Sequence, residues 1–318
     1  MKTLIVGLGN IAKIHGWAFS DAGIDVTPLV RDGKKARYSG DIKLDVLDLR
    51  EGHPKTQKTV YRPKIVEARE VTPAGGYELV MFPTKQYQLA DAVKQYKDCV
   101  GPDAILLMFA ANWEGPGEID KLVPRSRCVW GYAAVNGGEL DGELVANVRG
   151  DYRIGMMEGC SQGSLDKVVD LFAKAGFKPD MQDNIMDWLW QHHAVNAGLI
   201  GMALYAGGIE ELLSDEVLGL FMVYAVRDAL KVLEARGIDP RRLRDAQPYL
   251  DPDAADFLQG YADSVLNTPY GQRVIHAGHF RGNPLEMKKF YLDVVATGEE
   301  LGVDMPHLQA MKRKIGTL

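Results

Sequence analysis

The stretch that decides the fold opens the chain: Lys2-Thr3-Leu4-Ile5-Val6-Gly7-Leu8-Gly9-Asn10-Ile11-Ala12, running into a helical pattern over Ile11–Ala22 that stops at Gly23. A short apolar strand, a GxGxxA turn and a helix follow one another without a spacer. Gly7 permits a tight turn, Gly9 lets the backbone come close to a pyrophosphate, and the small Ala12 lets helix and strand pack. The helix N-terminus then faces the phosphates. A merely structural turn is the alternative. The βαβ context favours a dinucleotide cradle made of Gly7, Leu8, Gly9, Asn10, Ile11 and Ala12.

Working outward, Asp25–Val30 is a second strand, and Leu79–Pro83 and Ala104–Ala110 are later buried strands. The helix Gln86–Tyr96 separates the last two. Such alternation marks a parallel sheet covered on both faces. Lys58–Arg69 reads as an antiparallel strand or hairpin. The Gly-rich stretch Asn136–Gly155 is expected to close the sheet with hairpins, and Ser164–Ala175 is a helix stopped by Gly176. Beyond about Asp183 the pattern changes. Ile185–Tyr205, Asp215–Arg236, Ala254–Leu266 and Pro284–Leu301 show helical periodicity and almost no strand signal, with Pro240, Pro248 and Pro252 breaking the middle. The expected architecture is α/β: a Rossmann-type doubly wound sheet over residues 1–184, then an all-helical substrate and dimerisation domain over 185–318.

Composition narrows the function classes. The chain has 318 residues, 46% hydrophobic and 25% charged, with a formal net charge of -6. No basic block suggests nucleic acid or an anionic membrane surface. No stretch approaches a membrane span, and the opening apolar run is too short for a secretory signal. Cys99, Cys128 and Cys160 lie far apart without CxxC spacing, so they read as reduced packing residues of a cytoplasmic protein. No GxSxG elbow or Walker A motif is present.

The end of the second strand selects the dinucleotide. An NAD site presents Asp or Glu there to the ribose 2′-hydroxyl. Here the strand ends Leu29-Val30-Arg31, followed by Lys34, Lys35 and Arg37. Arg31 suits a 2′-phosphate, so NADP(H) is the expected cofactor, the alternative being a solvated basic loop.

Further motifs make the chain resemble the ketopantoate reductase (2-dehydropantoate 2-reductase) family over nearly its whole length. They are Pro83-Thr84-Lys85-Gln86-Tyr87, Ala110-Ala111-Asn112-Trp113-Glu114-Gly115, Tyr152-Arg153-Ile154-Gly155 with Leu165–Gly176, and Glu286 followed by Gly302-Val303 and Pro306. The resemblance implies that Lys85 contacts the cofactor, that Asn112 lies between nicotinamide and substrate, and that Glu286 lies near the nicotinamide ribose and substrate hydroxyl. It also implies that NADPH lies across the cleft between two domains. A surface role for Lys85 and a turn-forming role for Asn112 are the alternatives.

The chain departs from the family on the first helix of the second half. The family pattern W-x-K-x-x-x-N-x-x-x-N reads here Trp190-Gln191-His192-His193-Ala194-Val195-Asn196-Ala197-Gly198-Leu199-Ile200. Positions four apart share a helix face, so Lys, Asn, Asn becomes His192, Asn196, Ile200. Histidine can supply the proton that a reduced carbonyl needs, making His192 the candidate acid and Asn196 the residue that orients the substrate oxygen. Packing of His192 against Trp188 or Trp190 is the alternative, and His193 is expected to face away. Ile200 offers a polar substrate nothing, which points away from ketopantoate itself.

The expected activity is NADPH-dependent reduction of a small-molecule 2-oxo acid or ketone. Rivals are an imine or bulky-ketone reductase on the same scaffold, and a non-catalytic NADP-binding sensor. His276 and His279 are unconvincing metal ligands. The long helices could bury the seam of a homodimer.

Overall fold

The computed structural model describes residues 1–38, 40–133, 135–277 and 284–317; His279 lies outside them. The chain divides into two compact units, Met1–Met186 and Asp187–Leu318.

The first unit contains twelve strands among its described residues: β1 Thr3–Val6, β2 Val26–Val30, β3 Ile42–Asp48, β4 Thr56–Tyr61, β5 Val66–Glu67, β6 Leu79–Phe82, β7 Ile105–Phe109, β8 Cys128–Tyr132, β9 Val135–Leu140, β10 Glu143–Val148, β11 Asp151–Gly155 and β12 Lys178–Gln182. Its helices are α1 Asn10–Asp21, α2 Gln86–Tyr96, the single turn α3 Gly117–Asp120, and α4 Gln162–Lys174. Eight strands form the main sheet in the order β12-β11-β8-β7-β6-β1-β2-β5. From β5 to β8 every pairing is parallel. β11 runs antiparallel to β8, with β12 parallel beside it. Every residue of β1, β2, β6 and β7 is buried, as expected of strands covered on both faces.

The Gly-rich stretch does not close this sheet as expected. Only β11 joins it. β9 and β10 belong to a second sheet of four strands, ordered β4-β3-β10-β9. The reason is the shared alternation of β3 and β10. Leu44 and Val46 on one strand, and Leu144, Ala146 and Val148 on the other, each need a buried face. Parallel pairing in register, Leu144 with Leu44 and Ala146 with Val46, aligns those rows in one core with Ala12, Ile14 and Ala18 of α1. The Asn10 carboxamide donates to the Gly137 carbonyl at 3.1 Å, and Lys13 pairs with Glu139. The Lys58–Arg69 segment is likewise divided. β4 pairs antiparallel with β3, whereas β5 becomes the edge of the main sheet.

One buried ion pair reinforces this packing. Asp48 and Arg50 have fully buried side chains, joined by an Nε–Oδ1 bond of 3.0 Å and an Nη2–Oδ2 bond of 2.7 Å. Arg50 also donates to the Ala175 carbonyl and lies over the Trp17 and Phe177 rings. Two bidentate bonds and a backbone acceptor offset the desolvation of both charges.

The second unit is helical throughout its described residues. α5 (Ile185–Ala206) begins at the boundary, followed by α6 Ile209–Leu213, α7 Glu216–Ala235, α8 Gln247–Leu250, α9 Ala255–Leu266, α10 Pro269–Ala277, α11 Pro284–Glu300 and α12 Pro306–Thr317. Small residues on α5 set the spacing. A β-carbon at Gly198 would lie 2.5 Å from the Val226 backbone nitrogen on α7, and one at Gly201 would lie 2.7 Å from the Tyr291 ring on α11. The buried carboxylate of Asp228 on α7 accepts the His307 N–H at 2.7 Å and the Lys231 ammonium at 2.9 Å, which fixes the start of α12. No helix among the described residues is long and apolar enough to cross a membrane.

Candidate functional site

In the first unit the site begins at the turn between β1 and α1. Gly7 has φ +82°, a conformation that a β-carbon disfavours, and its N–H donates to the Leu29 carbonyl at 2.7 Å. Gly9 is different. Its φ of -74° suits any residue, and a β-carbon there would meet no protein atom within 4 Å. Nothing among the described residues requires this glycine, so the open space before it fits a closely approaching ligand. Gly9 also gives α1 no side-chain cap. The first amides of α1 therefore lack intrahelical acceptors and carry roughly half a positive elementary charge, the donor set that a pyrophosphate needs. Leu8 is buried, Asn10 braces the turn against β9, and Ala12 sits in the core.

At the end of β2, Arg31 is exposed. Lys35 is held by Glu70 at 3.0 Å. Arg31, Lys34 and Arg37 take part in no ion pair among the described residues.

The turns after β6 and β7 come next. Lys85 is the N-cap residue of α2, half-buried, with its ammonium 5.9 Å from the Tyr87 ring. Beside it the Thr84 hydroxyl is buried without a hydrogen-bond partner among the described residues, an orphan that invites a ligand. Asn112 is 6% exposed, and its carboxamide closes a local turn, donating to the Gly115 carbonyl at 3.0 Å and accepting the Gly115 N–H at 2.8 Å. These local bonds are those of a turn former and fix the Asn112 side chain beside the β7 end. Gln86 accepts the Trp113 N–H at 3.2 Å and ties the two turns together.

In the second unit, α5 carries the stripe of residues 188, 192, 196 and 200. Trp188 stacks on His192 with ring centroids 4.9 Å apart and planes 15° off parallel. Its indole N–H donates to Asp245 at 2.9 Å. The Asn196 amide lies 2.9 Å from His192 Nε2; with Nε2 as acceptor, a neutral ring carries its proton on Nδ1. Trp188 thus fixes the plane of the imidazole and Asn196 its rotation. Ile200 is buried.

The facing helix α11 supplies Phe290, 6.4 Å from the His192 ring and 4.6 Å from the His193 ring. Glu286 lies one turn before Phe290, half-buried in the first turn of α11. The two helices therefore meet where Phe290 faces His192 and His193, with Glu286 one turn earlier on α11. His193 is buried against α11, 3.7 Å from Asp293, and that burial holds its pKa well below the usual histidine value. His276 is exposed on α10, and no metal-ligating cluster occurs among the described residues.

Sequence reasoning named Trp188 as a packing partner of His192, which the stacking matches, but missed Thr84 and Asp245. The i, i+4 spacing of Trp188 and His192 was a usable signal for the stacking; burial of the Thr84 hydroxyl had none.

Comparison with known proteins agrees with this geometry. Residues 3–159 match the family profile described as ketopantoate reductase PanE/ApbA. A 2-dehydropantoate 2-reductase of Pyrococcus abyssi is 25% identical over 243 residues, covering 75% of this chain and 76% of the relative. Among solved structures, 2-dehydropantoate 2-reductase from Geobacter metallireducens GS-15 aligns with a TM-score of 0.75 at 16% identity, covering 100% of this chain and 99% of the other. D-mandelate dehydrogenase in ternary complex with NADH and anilino(oxo)acetate aligns with a TM-score of 0.71 at 17% identity, covering 100% and 98%. At such identities the structural likeness is one of fold. The family-profile match and the sequence relatives make the chain a ketopantoate reductase-like, NAD(P)-dependent oxidoreductase acting on a C=O/CH–OH pair.

Proposed function

We propose that this chain reduces a small 2-oxo acid or ketone with NADPH, His192 delivering the proton. The observation that carries the proposal is an imidazole held in plane by Trp188 and in rotation by Asn196, on a helix that packs against the one bearing Glu286. When bound, the reduced nicotinamide supplies the hydride. The chain's own residues do the rest. The α1 amides bind the pyrophosphate, and Arg31 with its loop binds the 2′-phosphate. Lys85, Thr84 and the turn closed by Asn112 position the nicotinamide half. In its protonated form His192 gives a proton to the carbonyl oxygen as negative charge develops there and returns to the neutral ring, while Asn196 and Glu286 orient that oxygen and the product hydroxyl.

His192→Ala is expected to lower turnover by roughly 10²–10⁴-fold, with NADPH affinity retained. Unchanged turnover on the best substrate removes His192 from the mechanism. That substrate is found by following NADPH oxidation against ketopantoate, 2-oxo acids with bulky apolar substituents, ketones and imines. The apolar Ile200 favours bulky or less polar members of this panel over ketopantoate. NADPH binding without oxidation of any of them would favour the sensor reading.

A further inference from the structure

β5 is two residues long, yet its register with β2 sets Val30 opposite Glu67, immediately before Arg31. Glu67 is 5% exposed, and both its carboxylate oxygens are committed to protein donors. Oε1 accepts the Lys35 N–H at 3.1 Å, and Oε2 takes the Arg69 guanidinium at 2.8 Å. The Gly33 backbone beside it adds to the stabilisation of the charged carboxylate. Backbone donation, from Lys35 first, holds the carboxyl below the usual carboxylate range. Neighbouring contacts extend the seam. Asp32 accepts the Arg69 N–H at 3.0 Å, and Glu70 takes both the Lys35 ammonium at 3.0 Å and the Glu67 N–H at 2.6 Å. The seam therefore takes up Asp32, Lys35, Glu67, Arg69 and Glu70, leaving Arg31, Lys34 and Arg37 exposed around a Gly33 turn at φ +72°.

We infer that Glu67 is a positioning residue for cofactor selection: by gathering the Gly33–Lys35 turn from the adjacent strand, it pre-arranges Arg31, Lys34 and Arg37 for a phosphorylated ribose. This rests on the NADPH reading of the loop given above. Holding a loop in its binding conformation beforehand removes ordering entropy that the ligand would otherwise have to supply. Two other roles for an acid here make different predictions. A carboxylate acting through its field would repel a 2′-phosphate, so its removal would tighten binding. A carboxylate acting on the ribose 2′-hydroxyl would serve NADH, so its removal would weaken only the unphosphorylated nucleotide.

The test compares adenosine 2′,5′-bisphosphate with 5′-AMP by calorimetric titration of the intact chain, its Glu67→Ala variant and its Glu67→Gln variant, with melting temperatures as the check on folding. Glu67→Ala is expected to weaken the bisphosphate by roughly tenfold, comparable to the ordering cost of one loop residue, and 5′-AMP by less than about twofold. Glu67→Gln still accepts the loop amides and should stay near the parent. In turnover, the KM for NADPH should rise in Glu67→Ala with kcat unchanged. An unchanged or tighter bisphosphate in Glu67→Ala overturns the inference, as does selective loss of 5′-AMP. Should Glu67→Ala not fold, Glu67→Gln decides: near-parent preference supports positioning, and tighter bisphosphate binding overturns it. A parent chain that does not prefer the bisphosphate removes the NADPH reading and this inference together, whereas a preferring parent with a silent Glu67→Ala removes the inference alone.

Discussion

Acid should destabilise this protein through a histidine that no substrate touches. His15 on α1 is fully buried among Phe19, Phe109, Phe172 and Phe177, its centroid 5.4 to 5.9 Å from theirs. Nδ1 lies 2.9 Å from the Ile11 carbonyl, so the neutral ring has its acceptor, while Nε2 has no partner among the described residues. A second proton would be placed on Nε2 inside an aromatic cluster. Burial accordingly pushes the His15 pKa down from 6.5 to about 4. The unfolded chain then binds more protons than the folded chain between those values. The associated stability is complete above pH 6.5 and is lost as the pH falls toward 4. A gap of about 2.5 units corresponds to roughly 3 kcal/mol, of which about 2 kcal/mol is lost between pH 7 and pH 5. His193 is shifted in the same direction, so the His15 share must be isolated by substitution. Urea unfolding of the parent and of His15→Leu, followed by tryptophan fluorescence at pH 7, 6 and 5, does this. The parent should lose roughly 2 kcal/mol more than the variant across that range. Parallel stability–pH curves would refute the reasoning.

Gly9→Ala should separate binding from stability. The backbone accepts the methyl and no protein atom lies near it, so unfolding should shift by less than about 0.5 kcal/mol while NADPH affinity drops by roughly tenfold or more as the phosphate approach is blocked. A variant that binds as well as the parent would show that the open space holds no ligand. Arg50→Met leaves Asp48 buried and unpaired and should cost about 3–5 kcal/mol, with the double change to Met and Leu recovering much of it. A cost under about 1 kcal/mol in chemical denaturation would contradict the role given to the pair. Gly198→Ala drives a methyl against the Val226 backbone and should cost about 1–3 kcal/mol. An unchanged melting temperature would mean that α5 and α7 are not closely packed there.

What the sequence revealed, and what it hid, follows from the range of the interactions involved. The turn Gly7–Ala12, the buried strands around it and the helical second half are local patterns, visible as apolar runs and helical periodicity. The spacing of Trp188, His192 and Asn196 likewise places them on one face without any tertiary information. The second sheet was not visible, because β3 and β10 pair about 100 residues apart and each alternation alone does not name its partner. β12 reads Lys178-Pro179-Asp180-Met181-Gln182, a strand made by backbone pairing at a sheet edge with no apolar signal. Asn112 carried two readings, and its bonds to Gly115 depend on the turn geometry that the sequence does not print. Glu67 gained its place from strand register, a property of two segments at once.

The central premise is that the uncapped start of α1 grips a pyrophosphate while Arg31 and its loop take the additional phosphate. Calorimetric titration of the intact chain with NADPH and with NADH measures it directly. The account predicts saturable binding of NADPH, tighter than that of NADH; no measurable affinity for either nucleotide would contradict it.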